Sequence, residues 1–322
     1  MITNVSQHAL KSLSCFTAVT FFSTSQMCAY ECFLNTNTMS VLYFISAISK
    51  PLFFIIMGYM DEVEKLSRQH VSIKIKSIIM IMIFWNIALT IINVKYVQQG
   101  YILQSGILLS MGVIYLIYPV ILKGVKHFKI TVSIFIGLVI IVALLDIFNL
   151  LDKKGDPLFI YNYSFIWMWG GYYILGHWLG EASGRQFTKK CNVLLVARIV
   201  VIPITISIYF YECFLSTQTQ ISVAGWFVLE HLHLLAVSLA LFIIFDNIKI
   251  KSQLFTGLVE FISPAMVGVY IVHYSVFYFI STLYDFHDVT LKFTLLVLVF
   301  IASVLVCRLL LLNRFTTRII SF

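Results

Sequence analysis

Ionisable side chains are scarce in this chain, and several stand where none is expected. Lys11, Lys50, Asp146, His177, Glu230, His231, His233 and His273 all fall within strongly apolar stretches. An ionisable group in such a stretch costs about 2.5–3.5 kcal/mol on membrane-insertion scales, so each needs a partner, a route to water or a function. The types present suit proton transfer and anion handling. An imidazole near neutral pKa takes a proton from a hydroxyl, a carboxylate orients or assists it, and an ammonium holds a phosphate or an oxyanion. Glu230, His231 and His233 form a short cluster, while His273 and His177 are single. Lys50 precedes Pro51, whose missing N–H is expected to bend the surrounding helix. Lys50 should then face a wet cavity or a carboxylate such as Glu230 or Asp146. Each histidine also has a plain reading as a hydrogen-bonded packing residue between helices. Four apolar segments sending titratable groups toward one interior is nonetheless the expected pattern of an internal polar site.

The elements that must carry these groups are membrane helices. Of the 322 residues, 60% are hydrophobic and only 11% charged, with a mean hydropathy of +0.96. Soluble domains carry about 25% charged residues. The apolar runs are continuous rather than alternating, which excludes a barrel. The fold class is therefore an all-α integral membrane protein, a bundle of about ten transmembrane helices. The predicted spans are roughly 10–31, 38–60, 77–96, 102–122, 130–150, 164–181, 192–211, 224–245, 260–283 and 290–313. The connections are short, the longest being the polar stretch 61–76, so residues 1–322 read as a single polytopic membrane domain. No cleavable signal peptide is apparent, and the first segment is kept as a span.

Basic residues set the orientation. Fourteen lysines and arginines lie in the even-numbered loops and the tail, against three (Lys95, Lys153 and Lys154) in the alternate loops. The positive-inside rule then places both termini in the cytoplasm, in a cell inner membrane. The net charge of +8 reports this orientation and implies no nucleic-acid partner. Arg198, Lys292 and Arg308 lie near predicted ends and can snorkel, and Glu181 closes the sixth span. The six cysteines show no CxxC spacing and no adjacent histidine pattern, so no metal site is expected. Cys213 could bridge to Cys28 or Cys32 on the outer face, or all three could be small apolar fillers.

Two stretches carry a resemblance. Pro51-Leu52-Phe53-Phe54-Ile55-Ile56-Met57-Gly58-Tyr59 is similar to the Pro-Leu-Phe-Phe-x-x-Ser-Gly-Tyr/Phe signature of membrane acyltransferase family 3, with Met57 at the serine position. Ser263 with Gly268-Val269-Tyr270-Ile271-Val272-His273 resembles that family's Ser-x₄-Gly-Ile-Tyr-x-x-His segment. The Tyr115-to-Pro119 Tyr-x-x-Tyr-Pro stretch and the span layout fit as well, closest to short members such as the enterobacterial common antigen acetylase type. The resemblance implies transfer of an acyl group, usually acetyl from acetyl-CoA, to a sugar hydroxyl of a surface polysaccharide or its lipid-linked precursor. No cofactor would be bound permanently, and acyl-CoA would be the co-substrate.

The chain departs from the family pattern where the chemistry is usually carried. Lys11 replaces an arginine at the start of the first span, and Ser12 a glycine. Phe22 stands where a histidine is expected. The Arg-x-x-Arg pair after the second span is missing, with Lys74 and Lys76 the nearest basic residues. Lysine keeps the charge but loses the bidentate fork. The base is therefore sought in His273 or in the Glu230, His231 and His233 cluster. Lys11, Lys74 and Lys76 are the expected donor-binding cations. Lys50, Asp146, His177 and Tyr270 would line the substrate or polar cavity. The alternative is a non-catalytic relative that binds or exports a polysaccharide or lipid-linked glycan, and an unrelated transporter or channel is a third option.

Overall fold

A computed structural model describes residues 5–27, 38–65, 67–92, 102–124, 161–217, 227–283 and 289–321, with isolated positions between 129 and 144. Every described element is helical: α1 (Val5–Met27), α2 (Thr38–Ser46), α3 (Ser49–Val63), α4 (Arg68–Ile92), α5 (Ile102–Gly124), α6 (Tyr161–Gly180), α7 (Ala182–Thr188), α8 (Cys191–Thr217), α9 (Phe227–Asn247), α10 (Gln253–Ile262), α11 (Met266–Ser281), α12 (Val289–Leu311) and α13 (Arg314–Thr317). A 3₁₀ turn, Ser263–Ala265, joins α10 to α11.

Four of the described stretches are long and apolar enough to cross a membrane: Arg68–Ala88, Gly106–Lys123, Gln253–Ser281 and Thr290–Leu311. A fifth span results if Ala182–Thr188 and Cys191–Ser207, bent by 64°, are taken together. The outward faces are apolar. Only 17% of the Arg68–Ala88 window is buried, and Ile83 and Ile87 are among its exposed side chains. In water such a surface would be an aggregation liability; against lipid it is the expected outer face. The chain is an all-α, multi-pass membrane protein.

Several boundaries differ from the sequence reading. The helix of the first span starts at Val5, ahead of the expected residue 10. A bend was expected at Pro51, and the helix is interrupted just before it, between Ser46 and Ser49. Pro51 then occupies the first turn of α3, where its missing N–H removes no intrahelical bond. The expected polar loop 61–76 is far shorter. α3 runs to Val63 and α4 begins at Arg68, so Arg68, Lys74 and Lys76 sit on a helix. Lys65, just after α3, has φ of 50°, in the left-handed region.

The fold divides into two compact units. The first comprises Met1–Ala29, Leu66–Pro119 and Ile250–Phe322. In it α1 packs against α10, α11 and α12. Buried Ser and Thr hydroxyls of α1 donate back to their own helix: Thr17 to Leu13 O at 3.0 Å, Thr20 to Phe16 O at 2.8 Å and Thr24 to Thr20 O. This satisfies the three threonine hydroxyls of α1 within the helix, while the buried Ser6 and Ser23 hydroxyls find no such acceptor. The Trp85 indole donates to Ile319 O at 2.8 Å and fixes α4 to the tail.

The second unit comprises Tyr30–Lys65 and Val120–Lys249. Its central contact is α3 on α6, where the backbones touch. A Cβ on Gly58 would stand 2.0 Å from Tyr173 O, and one on Gly176 would stand 2.1 Å from Ile55 O. Small residues at such crossings are how membrane helices approach closely. Gly58→Ala and Gly176→Ala are each expected to destabilise by about 1–3 kcal/mol or more, since a backbone carbonyl cannot swing aside as a side chain does. Thermal unfolding of the detergent-purified variants would check this, and an unchanged midpoint for Gly176→Ala would contradict the packing.

Candidate functional site

The first unit holds His273, Tyr270, Lys11, Lys74 and Lys76. His273 is buried on α11, and its Nδ1 lies 2.7 Å from Val269 O. A carbonyl oxygen only accepts, so Nδ1 carries the hydrogen and Nε2 is the nitrogen with a lone pair. The imidazole stands edge-on to the ring of Phe22, with centroids 5.2 Å apart and planes at 84°. Phe22 also packs against Tyr274 at 4.8 Å and Phe277 at 5.5 Å. The position where the first span was expected to carry a histidine is therefore beside the late-span histidine. One turn from His273, the Tyr270 hydroxyl meets Ser14 Oγ at 3.0 Å and donates to Ser14 O at 3.3 Å. Those bonds pin α11 to α1 and set the depth at which Phe22 and His273 meet.

The three cations are not grouped at one point by any described contact. Lys11 lies half-buried on α1, one turn after His8. Lys74 Nζ is 3.4 Å from Tyr115 Oη and 5.4 Å from the centre of that ring, so α4 and the Tyr-x-x-Tyr-Pro stretch of α5 hold it together. Lys76 is exposed.

The second unit holds Lys50, His177 and His233. Lys50 was expected to face a wet cavity or a carboxylate; one of its contacts is aromatic, with Nζ 5.8 Å from the Trp169 ring, which stacks on Phe54 at 5.3 Å. Because α3 starts at Ser49, this ammonium stands in the first turn of a helix and not at mid-span. His177, 1% exposed, has Nδ1 3.2 Å from Glu62 Oε2. Beside it the fully buried Asp61 accepts from the Tyr173 hydroxyl at 2.7 Å. The Glu62 carboxyl is raised above its ordinary range by burial, then by the neighbouring Glu181, with Arg185 and Lys65 acting in the opposite sense. His233 is half-buried on α9. Glu230 and His231 lie on the same helix, with side chains outside the described residues. Asp146 and Cys28, Cys32 and the Cys213 side chain also fall outside them. The described free cysteines are Cys15, Cys191 and Cys307, and among the described residues no group of His, Cys, Asp and Glu could hold a metal.

Sequence reasoning passed over Asp61, Glu62 and Tyr173. Asp61 and Glu62 follow the Gly58-Tyr59 end of the signature directly, but read as the start of a solvated loop. Only the extension of α3 to Val63 turns them toward α6.

A family model described as an acyltransferase domain matches residues 8–312. The chain belongs to membrane acyltransferase family 3. Neither a curated protein nor a solved structure gives a match. Membership covers nearly the whole chain and gives it a membrane acyltransferase-type function.

Glu62 carries a pH signature with a definite sign. A carboxyl whose folded pKa is raised favours the fold in its protonated form. The penalty is absent below its ordinary value near 4.5 and complete above the raised value. Glu62→Gln is therefore expected to raise the unfolding temperature at neutral pH, by an increment that shrinks as pH falls through the raised value. Thermal melts across a pH series would show this, and an increment independent of pH would refute it.

Proposed function

We propose that this protein is an O-acyltransferase of the inner membrane, passing an acyl group, acetyl in the simplest case, from acyl-CoA to a sugar hydroxyl. The acceptor is a surface polysaccharide or its lipid-linked precursor. The reading rests on one observation in a chain of this family: the Phe22 ring lies against His273 at 5.2 Å. The imidazole missing from the first span is thus matched by one facing the same place from α11. His273 Nε2 is the base that takes the sugar hydroxyl proton, while the Nδ1–H bond to Val269 O holds the ring and its tautomer. Tyr270, tied to Ser14, positions the segment. Lys11, Lys74 and Lys76 supply the positive charge that draws the phosphates of the donor. The excess of basic residues in alternate loops supports ten spans with both termini in the cytoplasm, on the side where acyl-CoA is made.

A second reading, a relative that binds or exports a glycan without acylating it, is favoured by one fact: Phe22 cannot take a proton. The two separate by experiment. His273→Ala is expected to lower acetylation of the cell's surface glycan by at least about 100-fold, the scale of a lost general base, with the protein still present in the membrane. Wild-type acetyl content in that variant would remove His273 from the chemistry. Glycan that is fully acetylated but fails to reach the surface when the gene is deleted would replace the enzyme reading with export.

A further inference from the structure

A second histidine of the first unit meets a hydroxyl that the reading above leaves unused. His8 Nδ1 lies 2.8 Å from Ser263 Oγ, although 255 positions separate them in the chain. The contact is built by the fold on both sides. Ser263 ends α10, its N–H bonding Val259 O, and Pro264 follows; the proline has no N–H, so the helix breaks into the 3₁₀ turn Ser263–Ala265 before α11 begins. The Ser263 side chain thus sits at a corner between two helices, 3% exposed. On the other side, the Ser12 hydroxyl reaches His8 O at 2.8 Å and Val259 O at 3.3 Å, which locks the first turns of α1 against the end of α10 and fixes the register of His8 on Ser263. His8 itself is half-buried.

We propose that Ser263 and His8 form a nucleophile–base pair that receives the acyl group from a thioester donor as a serine ester. The separation is that of an activated serine, within the 2.6–3.2 Å reach that such pairs need. Burial and the Lys11 ammonium hold the His8 imidazole below its ordinary value, against the pull of Glu260, so it is neutral and able to accept a proton. Glu260, one turn before Ser263, then favours the imidazolium that forms. The step balances: Ser263 Oγ attacks the thioester carbonyl and its proton passes to His8 Nδ1. The C–S bond breaks as the C–O bond forms, and His8 returns the proton to the leaving thiolate, giving a free thiol. An acceptor hydroxyl then attacks the ester carbonyl; on this route His8 takes its proton and passes it to Ser263 Oγ as the serine C–O bond breaks, restoring Ser263. His273 lies ten residues further on, roughly 15 Å along a helix, so His8 is the base for this serine. Lys11, one turn after His8, is the cation nearest to hand for the donor's phosphates.

The inference rests on the acyl-donor half of the proposed function, and labelling of the protein separates the two. Detergent-purified full-length protein is incubated with radiolabelled acetyl-CoA, acid-quenched and mapped by mass spectrometry. A fluorophosphonate probe serves as a second reporter of an activated serine. Acetyl and phosphonyl groups on Ser263 are expected, absent in Ser263→Ala and slowed roughly 100-fold in His8→Ala. Ser263→Cys is expected to keep acetylation as a thioester, which controls for folding. Glycan acetylation that continues in Ser263→Ala, or a folded wild-type protein that neither reagent labels at Ser263, would overturn the pair while leaving the acyltransferase reading intact. A label on Ser263 with no acetylated glycan in any strain would do the reverse. Variants that only lower the unfolding temperature, with no labelling of the wild type, would reduce the bond to a tether between helices.

Discussion

A polar side chain among lipid-facing helices has to find its hydrogen-bond partner inside the protein, since lipid offers none. This constraint organises both units. Thr17, Thr20 and Thr24 of α1 turn back on their own helix's carbonyls, Tyr270 and Ser14 satisfy each other, and Asp61 takes the Tyr173 hydroxyl. The two pairings between helices also fix the relative height of the helices they join. The bonds that remove the cost of burial therefore set the register in which histidines and aromatic rings meet.

The units meet the constraint by different means. In the first, hydroxyls and imidazoles bridge α1 to α10 and α11, and a helix break at Pro264 presents a serine side-on. In the second, glycines bring α3 and α6 to backbone contact, and the acidic end of α3 is carried against His177 and Tyr173. Lys50 shows a further route, an ammonium over an indole face, an interaction that strengthens as water is excluded.

The exchange of a first-span histidine for Phe22 is accommodated by neighbours on α11. Phe22 fills its position as one ring in a cluster with His273, Tyr274, Phe277 and Tyr278. An apolar ring there shields His273 without competing for its hydrogen bonds, and Nδ1 is satisfied by its own helix. The substitution removes one titratable group and leaves the other oriented.

Composition and run length alone fixed the membrane class, because no soluble core can absorb so many apolar residues. The two short motifs were enough to point to the family, because their residue types and spacing are local properties. The family's key position at Phe22 was legible for the same reason. Partnerships were not. Nothing in the spacing links His8 to Ser263, Phe22 to His273 or Asp61 to Tyr173, since each joins residues more than a hundred positions apart. The ends of α3 and α4 escaped as well, because polar residues at a membrane surface read alike in a loop and in the last turn of a helix. Hydropathy reports the solvent that each segment prefers. Only the packing of helices decides which side chains share a depth, and so which of them can exchange a proton.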